Sequence, residues 1–402
     1  MKSTSLLLFV CICALLFLRA CTSKENIVMV DPGDTGVPAV AFQAPLVITK
    51  SGKYTGNYKS TDSNIPAVWV QTTEPVELTG CTIASAGDMI RCVSGTRLNI
   101  HHNSIYGLLP NTNFQWGRVI NNYKPRSFIF QNNYVEHTGG LLIDHTDSTA
   151  TSVVIRYNII RNTDKRRDDL FAGEKRPGIM FNTVLNVTGD ISWNQFINLP
   201  VASFVDDNIY MYNSGGKSGT PFLIHDNYIK GAYPYPLNAT YYGSAITVDG
   251  DPGTNTMDKM SQFIDAYNNQ VISICNSAMN ISAGHDIHYY NNTIISSGRY
   301  PDGTRSDWFW GGCAIWNASN VPVANFINNT IKGNKIGYVR PGKYAPVPGR
   351  QDWVVVGGSP LSVSRGDNLS MANPITLETE KAEWPKWLDK VAENNVILGN
   401  KP

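Results

Sequence analysis

An apolar strand, an asparagine and a second short apolar strand recur along most of the chain. Segments such as FIFQNNYV, VVIRYNII and DIHYYNNTI alternate apolar and polar residues around the asparagine. Since successive side chains of a strand point to opposite faces, this alternation predicts half-buried β-strands. The irregular intervals are typical of a solenoid whose coils keep a strand-turn-strand core and vary their loops. The repeated asparagines are Asn103, Asn133, Asn158, Asn194, Asn227, Asn269, Asn292 and Asn329.

We expect each repeated asparagine to lie at a sharp turn between two strands, where asparagine tolerates a left-handed backbone. Stacked side-chain amides can also hydrogen-bond to one another along the axis. A second polar position follows strands such as LLID and ITVD, and two such rows in phase predict an all-β, single-stranded right-handed parallel β-helix. The second row consists of Asp144, Asn182, Asn213, Asp249 and Asn317.

Residues 27–402 are predicted to form one β-helix domain. The short apolar runs of residues 27–75 begin the helix, the repeats occupy about residues 76–335, and residues 336–402 form a C-terminal cap. Within the cap, ITLETEKAEWPKWLDKVAENN predicts a short amphipathic helix interrupted at Pro385. Exposed coil edges invite strand pairing between chains, so a terminal cover of this kind leads us to expect a monomer.

The N-terminus has the pattern of an export signal. A basic Lys2 precedes an apolar run over residues 6–18, which is shorter than the roughly 20 residues that span a bilayer. The following Leu-Arg-Ala-Cys resembles a bacterial lipobox, and the nearby Lys-Glu pair resembles surface-export signals of Bacteroidetes lipoproteins. The resemblance implies a signal peptide over residues 1–20, a lipid on Cys21 and a tether over residues 21–26. We therefore expect anchoring to the bacterial outer membrane, on its periplasmic or cell-surface side.

Charge and cysteine content exclude several classes of protein. The 33 basic and 32 acidic residues give a formal net charge of +1, so no global field steers the protein toward nucleic acid. The cysteines contain no CxxC pair, and their density does not suggest a disulfide framework. Membrane association is expected through the lipid anchor alone.

The whole repeat region resembles bacterial right-handed parallel β-helix proteins of the pectate lyase-like superfamily. That superfamily includes polysaccharide lyases, glycoside hydrolases, epimerases, esterases and non-catalytic adhesins. The resemblance therefore implies a fold and does not name a function, which has to be argued from particular sites.

One long insertion, RNTDKRRDDLFAGEKRPG, concentrates basic residues that include Arg167, Lys175 and Arg176. Guanidinium groups bind carboxylates and sulfates in bidentate fashion, so these three residues are predicted to bind an acidic polysaccharide. In lyase chemistry, a lysine or arginine can also remove the proton next to a uronate carboxylate. The alternative is a solvated loop of mixed charge that pairs with itself.

Other insertions are rich in aromatic residues, among them Tyr241, Trp308 and Trp310. Aromatic faces bind the apolar faces of sugar rings, so these three residues are predicted to bind substrate. They could equally pack over the sides of the coils.

The candidate catalytic residues are Asp249 and Asp251 in ITVDGDPG, His285 in AGHDIH and His145 in LLIDHTD. His285 is expected at the same angular position as Asp249, one coil further on. Two carboxylates on adjacent coils have the separation that glycoside hydrolysis requires. The same carboxylates could hold Ca²⁺, which is the one possible cofactor, or form structural turns.

The sequence thus predicts an exported polysaccharide lyase or glycoside hydrolase that cleaves an acidic glycan in a groove on the outside of the helix. The insertions after residues 161, 231 and 299 would form the walls of the groove. The basic insertion favours a lyase and the carboxylates favour a hydrolase. The alternative is a non-catalytic surface β-helix that binds glycan or mediates adhesion.

Overall fold

Three long sheets surround one core, and the chain passes through the first, second and third sheet in turn on each coil. This computed structural model describes residues 36–146, 151–166, 174–239, 243–251, 256–306, 308–340, 349–354 and 367–400. These residues belong to one unit, Asp31–Pro402. Nearly all neighbouring strands are parallel and in register, so the chain is an all-β parallel β-helix, as the repeat predicts.

The strands are short, as expected where every coil turns three times. The first sheet contains Leu46–Ile48, Val68–Val70, Ile90–Cys92, Ile120–Tyr123, Leu141–Asp144, Ile179–Asn182, Ile209–Tyr212, Ile246–Asp249, Asn276–Ile281, Phe309–Ile315 and Trp353–Val354. The second contains Gly52–Tyr54, Pro75–Thr79, Arg97–His101, Ser127–Gln131, Ser152–Arg156, Thr188–Ser192, Phe222–His225, Gln262–Tyr267, His285–Tyr290 and Thr330–Lys332. The third contains Asn57–Ser60, Thr82–Ser85, Ser104–Gly107, Tyr134–Glu136, Ile159–Arg161, Gln195–Ile197, Tyr228–Ala232, Gln270–Ile274, Thr293–Ser296, Lys335–Arg340, Gly349–Arg350 and Leu369–Ser370.

The alternating apolar residues fill the interior. Phe128 and Phe130 are fully buried and stack at 6.1 Å, and Val153 and Ile155 occupy the same two positions on the next coil. Burial of apolar area contributes about 25 cal/mol per Å². The continuous core of the stack is therefore the main source of stability, and the outer faces and loops are left for function.

The repeated asparagines form a buried ladder at the turn between the second and third sheets. The amide oxygen of Asn158 accepts from the backbone N–H and from Nδ2 of Asn133, at 2.9 and 3.1 Å. Nδ2 of Asn133 also donates to the carbonyl of Ile100, at 3.0 Å. Each side chain thus ties three coils together. The ladder consists of Asn103, Asn133, Asn158, Asn194, Asn227, Asn269, Asn292, Asn334 and Asn368.

Two details of the predicted ladder are wrong. Asn329 lies outside it, next to the second sheet, where its Oδ1 accepts from the N–H of Ile287 at 3.2 Å, and Asn334 takes the expected place. The left-handed backbone belongs to the residue before each ladder asparagine, for example His102 at φ 55° and Asn132 at φ 52°. The physical reason is that the ladder uses the side-chain amide, while the preceding residue makes the bend.

The second polar row is also different from the prediction. Asp144 and Asn182 are aligned and joined by a 2.8 Å hydrogen bond, but Tyr212 lies between Asn182 and Asp249 in the register. Asn213 is one residue further, at φ 45°, where the chain already turns. Asn317 is likewise one residue past the aligned position. The row is therefore a mixed polar and aromatic column.

The C-terminal segment forms helices α1, Leu377–Lys381, and α2, Glu383–Glu393. The break is at Ala382 and not at Pro385, because proline in a first helical turn lacks only an N–H that would have no partner there. Trp387 is fully buried against the outer face of the third sheet and donates to Gln195 Oε1 at 3.1 Å. The tail then runs back along the stack, where Asn400 Nδ2 donates to Ser104 Oγ at 3.0 Å.

Two short 3₁₀ helices, Met257–Lys259 and Val323–Asn325, lie in connections between the first and second sheets. Within the described ranges, no helix is both long and apolar enough to cross a membrane.

Candidate functional site

Several of the predicted site residues lie at the outer face of the first sheet. All three long insertions, after residues 161, 231 and 299, leave the third sheet and enter the first, so they line the same edge of that face. The connections after Asp249 and Ile315 leave the first sheet at its opposite edge. The residues between the two edges therefore lie on the floor of the candidate site.

On this floor, a lysine of the basic insertion is linked by hydrogen bonds to a carboxylate that the sequence predicts to be catalytic. Lys175 Nζ donates to the hydroxyl of Tyr210 at 3.0 Å, and that hydroxyl donates to Asp249 Oδ2 at 2.9 Å. Tyr210 lies one strand before Asp249 in the first sheet and is 2% exposed. The structure thus joins two predicted residues through a third that the sequence reasoning missed.

Both carboxylate oxygens of Asp249 accept hydrogen bonds from within the protein. Its Oδ1 accepts from the N–H of Gly250 at 2.9 Å and from Ser319 Oγ at 2.6 Å, while Oδ2 accepts from Tyr210. Burial, followed by the charges of Asp249 and Asp207, raises the pKa of Tyr210 well above its ordinary value. Tyr210 therefore stays a neutral hydroxyl that orients its two partners, because its ionised form would face two carboxylates.

Two further carboxylates lie under the basic insertion. Asp206 accepts from Lys165 Nζ at 2.5 Å and from the N–H of Arg176 at 2.7 Å. Asp207 accepts from the N–H of Ser244 at 2.9 Å. Burial raises the pKa of Asp207 to about 7; the charge of Lys175 works against this rise and that of Asp206 adds to it. Asp206 therefore fixes the insertion to the segment that enters the first sheet, so the insertion does more than pair with itself.

Two guanidinium groups complete the cluster. Arg118 is 5% exposed and its Nη2 donates to the carbonyl of Lys175 at 2.9 Å. Burial, and next the charge of Arg176, lower the pKa of Arg118 to about 9. Within the described part of the chain, Nη1 of Arg118 and Nε of Arg176 are buried without a hydrogen-bond partner. Buried donors without a partner are costly, and the two guanidinium groups bring positive charge to this part of the site.

His145 belongs to a separate part of the same face. Its Nδ1 contacts Asp144 Oδ1 at 2.8 Å, and Asp144 Oδ1 also accepts from Asn182 Nδ2 at 2.8 Å. The side chain of His145 is 41% exposed. Asp144 lies three strands before Asp249, a distance of about 14 Å at the usual strand spacing. His145 and Asp249 therefore cannot act on one bond together.

The expected alignment of His285 with Asp249 is wrong. Asp249 ends a strand of the first sheet, whereas His285 begins a strand of the second sheet and pairs there with Gln262. Its ring nitrogens contact Asp286 Oδ2 at 2.6 Å and the carbonyl of Met257 at 3.2 Å. Spacing along the chain could not reveal this, because the turn between the two sheets varies in length from coil to coil.

Asp251 is exposed, two residues after Asp249, and its N–H donates to Asn213 Oδ1 at 3.2 Å. It lies at the edge of the floor, where the chain leaves the first sheet.

Trp310 lies in the strand Phe309–Ile315 of the first sheet, and its ring contacts the guanidinium of Arg340 at 3.9 Å. Trp308 is partly buried just before that strand, and its N–H donates to Ser306 Oγ at 3.2 Å. Both lie at the same face as Asp249 but two coils further along. Arg167, Tyr241 and Cys21 lie outside the described residues.

The described residues contain no group of three or more His, Cys, Asp or Glu side chains arranged to hold a metal ion. These residues therefore provide no set of ligands for the possible Ca²⁺ site.

Comparisons with protein-family models, with curated proteins and with solved structures give no match. Function therefore rests on the geometry of the first sheet.

Proposed function

We propose that this protein acts on an acidic polysaccharide at the outer face of the first sheet, by β-elimination. The observation that carries the proposal is the hydrogen-bonded chain from Lys175 through Tyr210 to Asp249. It holds Nζ of Lys175, an exposed residue of the basic insertion, over the sheet, near the guanidinium groups of Arg118 and Arg176. In line with the resemblance to pectate lyase-like proteins, an acidic glycan is the substrate class.

Each of these residues has a separate role in such a reaction. The guanidinium of Arg176 binds the uronate carboxylate and stabilises the negative charge that develops on it. Arg118 is buried and is a positioning residue, because it donates to the carbonyl of Lys175. Lys175, as the neutral amine, takes the proton from the carbon next to the carboxylate and becomes an ammonium group. The electron pair of that bond forms a carbon-carbon double bond, and the bond between the next ring carbon and the glycosidic oxygen breaks. The leaving oxygen takes a proton from water. Tyr210 and Asp249 are positioning residues, because Tyr210 is buried and both oxygens of Asp249 are occupied.

Hydrolysis is less well supported by the same contacts. A hydrolase needs two accessible carboxylates, one as acid and one as base or nucleophile. Asp207 has a pKa of about 7, which suits an acid, but it is 7% exposed and bonded to Ser244. Asp251 is exposed but lies at the edge of the floor, beyond the strand end.

A non-catalytic glycan-binding protein is the second candidate. Both oxygens of Asp249 accept hydrogen bonds from within the protein, so this carboxylate does not act as an acid or a base. This favours a protein that binds glycan without cleaving it. In either case we propose export and attachment through a lipid on Cys21 to the bacterial outer membrane, with the protein acting as a monomer.

The test uses purified residues 22–402 and a panel of acidic and neutral polysaccharides, with and without Ca²⁺. We expect new reducing ends together with the ultraviolet absorbance of unsaturated uronates. Lys175→Met should abolish both signals, whereas Lys332→Met, at an exposed lysine of the second sheet, should leave them unchanged. Binding without either signal would support the glycan-binding candidate, and reducing ends without absorbance would support hydrolysis.

A further inference from the structure

One outward-facing column of the first sheet has an aromatic residue at every third coil. Pairing between strands aligns Tyr123 with Asp144, Asp144 with Asn182, and Asn182 with Tyr212. Tyr212 is aligned in turn with Asp249. The side chains of this column point away from the core, since the residue before each of them in its strand is buried.

The column continues beyond the last paired strand residues. The N–H of Ser282 donates to the carbonyl of Val248 at 2.8 Å, and the N–H of Trp316 donates to that of Ile281 at 3.0 Å. These are the bonds of a parallel ladder, so Ser282 and Trp316 follow Asp249 in the same column. Two polar residues thus separate Tyr123 from Tyr212, and two more separate Tyr212 from Trp316.

The aromatic residues of the column remain accessible. Tyr123 is 41% exposed, Trp316 is 36% exposed and Tyr212 is partly exposed. Large aromatic residues usually bury their rings, so two exposed rings aligned with a third on one face suggest a ligand. Strands repeat at about 4.8 Å, so neighbouring aromatic residues of the column lie about 14 Å apart along the axis.

We infer that Tyr123, Tyr212 and Trp316 are stacking subsites for a linear polysaccharide that lies along the helix axis over at least seven sugar units. The strand spacing is close to the length of one sugar unit, so each coil faces one unit and every third unit stacks on an aromatic ring. The intervening pair of Asp144 and Asn182 supplies hydrogen bonds to hydroxyl groups, whereas Asp249 has both oxygens occupied and Ser282 is buried. This inference rests on the proposed function, because Asp249 belongs to both.

The two ends of the column are the parts that can be changed without touching Lys175, Tyr210 or Asp249. Tyr123→Ala and Trp316→Ala remove one terminal subsite each. Tyr123→Phe and Trp316→Phe keep a flat ring and are the matched controls. Trp69→Ala removes an exposed tryptophan from a different column of the same sheet.

The experiment measures affinity and turnover for galacturonate and alginate oligosaccharides, as trisaccharides and as octasaccharides. Each alanine variant should weaken octasaccharide affinity by about fivefold, the effect of one lost stacking contact, with trisaccharide turnover unchanged. The phenylalanine variants and Trp69→Ala should match the wild type. Equal octasaccharide affinity in the alanine variants and the wild type would overturn the inference and leave the proposed function intact. A wild-type protein that neither binds nor cleaves any oligosaccharide would overturn both.

Discussion

Lys175 and Asp249 meet at a single hydroxyl, that of Tyr210, which accepts from the lysine at 3.0 Å and donates to the carboxylate at 2.9 Å. The three residues come from successive coils, so only the stacking of the coils brings them together. The hydroxyl is the one atom that both partners share.

Tyr210→Phe should therefore lower kcat by about 10-fold to 100-fold with little change in KM, since misplacement of a reacting group affects the chemical step more than binding. The ring still fills the same space, so the melting temperature should change little. Tyr290→Phe, on the second sheet, is the control. Unchanged kcat in Tyr210→Phe would show that the link to Lys175 has no part in the reaction.

Removing one asparagine from the ladder should lower the stability of the fold strongly. Asn158→Ala removes the acceptor for two bonds from Asn133 and the Nδ2 donor to Asn194 Oδ1 and to the carbonyl of Phe130. The backbone N–H of residue 158 still donates to Asn194 Oδ1. Buried groups left without partners cost about 1–3 kcal/mol each, so the free energy of unfolding should fall by several kcal/mol. Asn121→Ala, an exposed asparagine of the first sheet, should have almost no effect. Urea unfolding followed by circular dichroism compares the two.

The C-terminal helices should stabilise the flank of the stack. Trp387 is fully buried against Tyr228, with ring centroids 5.7 Å apart. Trp387→Ala should cost about 3–5 kcal/mol, the usual effect of truncating a buried tryptophan. Hydrogen exchange should then rise in the third sheet under α2 and stay unchanged in the first sheet. Equal protection in the variant and the wild type would contradict the packing described.

Stability should fall as the pH rises from 6.5 to about 9, because of His225. Burial lowers the pKa of His225, but the ring nitrogens interact with the carboxylates of Asp190 and Asp226, which outweigh this effect and raise the pKa to about 9. The folded state then binds a proton that the unfolded state has released, so the contribution is complete below pH 6.5 and is lost through pH 9. His225→Gln should flatten the melting temperature over this range. Lys390 Nζ also contacts Asp226 Oδ1, at 2.7 Å.

Most of the fold was predictable because its signal is local. Alternating strands and a repeated asparagine define each coil without knowledge of the others. The prediction failed at Asn329 because the motif NNTI occurs twice: at residues 291–294 it carries the ladder asparagine, whereas at residues 328–331 it leads into the second sheet. The bend before Asn334 is made by Gly333, at φ 69°, whereas a residue other than glycine makes it before the other ladder asparagines.

The site was predictable only in part. Lys175, Arg176 and Asp249 could be selected by residue type, but Arg118 and Tyr210 lie within strand-like or neutral segments that carry no chemical signal. Their roles depend on which residues of neighbouring coils are aligned. This register cannot be predicted from the sequence, because the loops between the strands vary in length. His285 was misplaced for the same reason.

The most direct test of the proposed β-elimination is digestion of an acidic polysaccharide in water enriched in ¹⁸O, followed by mass spectrometry of the products. β-Elimination breaks the glycosidic bond without adding water across it, so we predict unsaturated ends with no ¹⁸O incorporated during cleavage. The Lys175→Met variant should give no products. Saturated products that carry ¹⁸O at the new reducing end would contradict the account and establish hydrolysis.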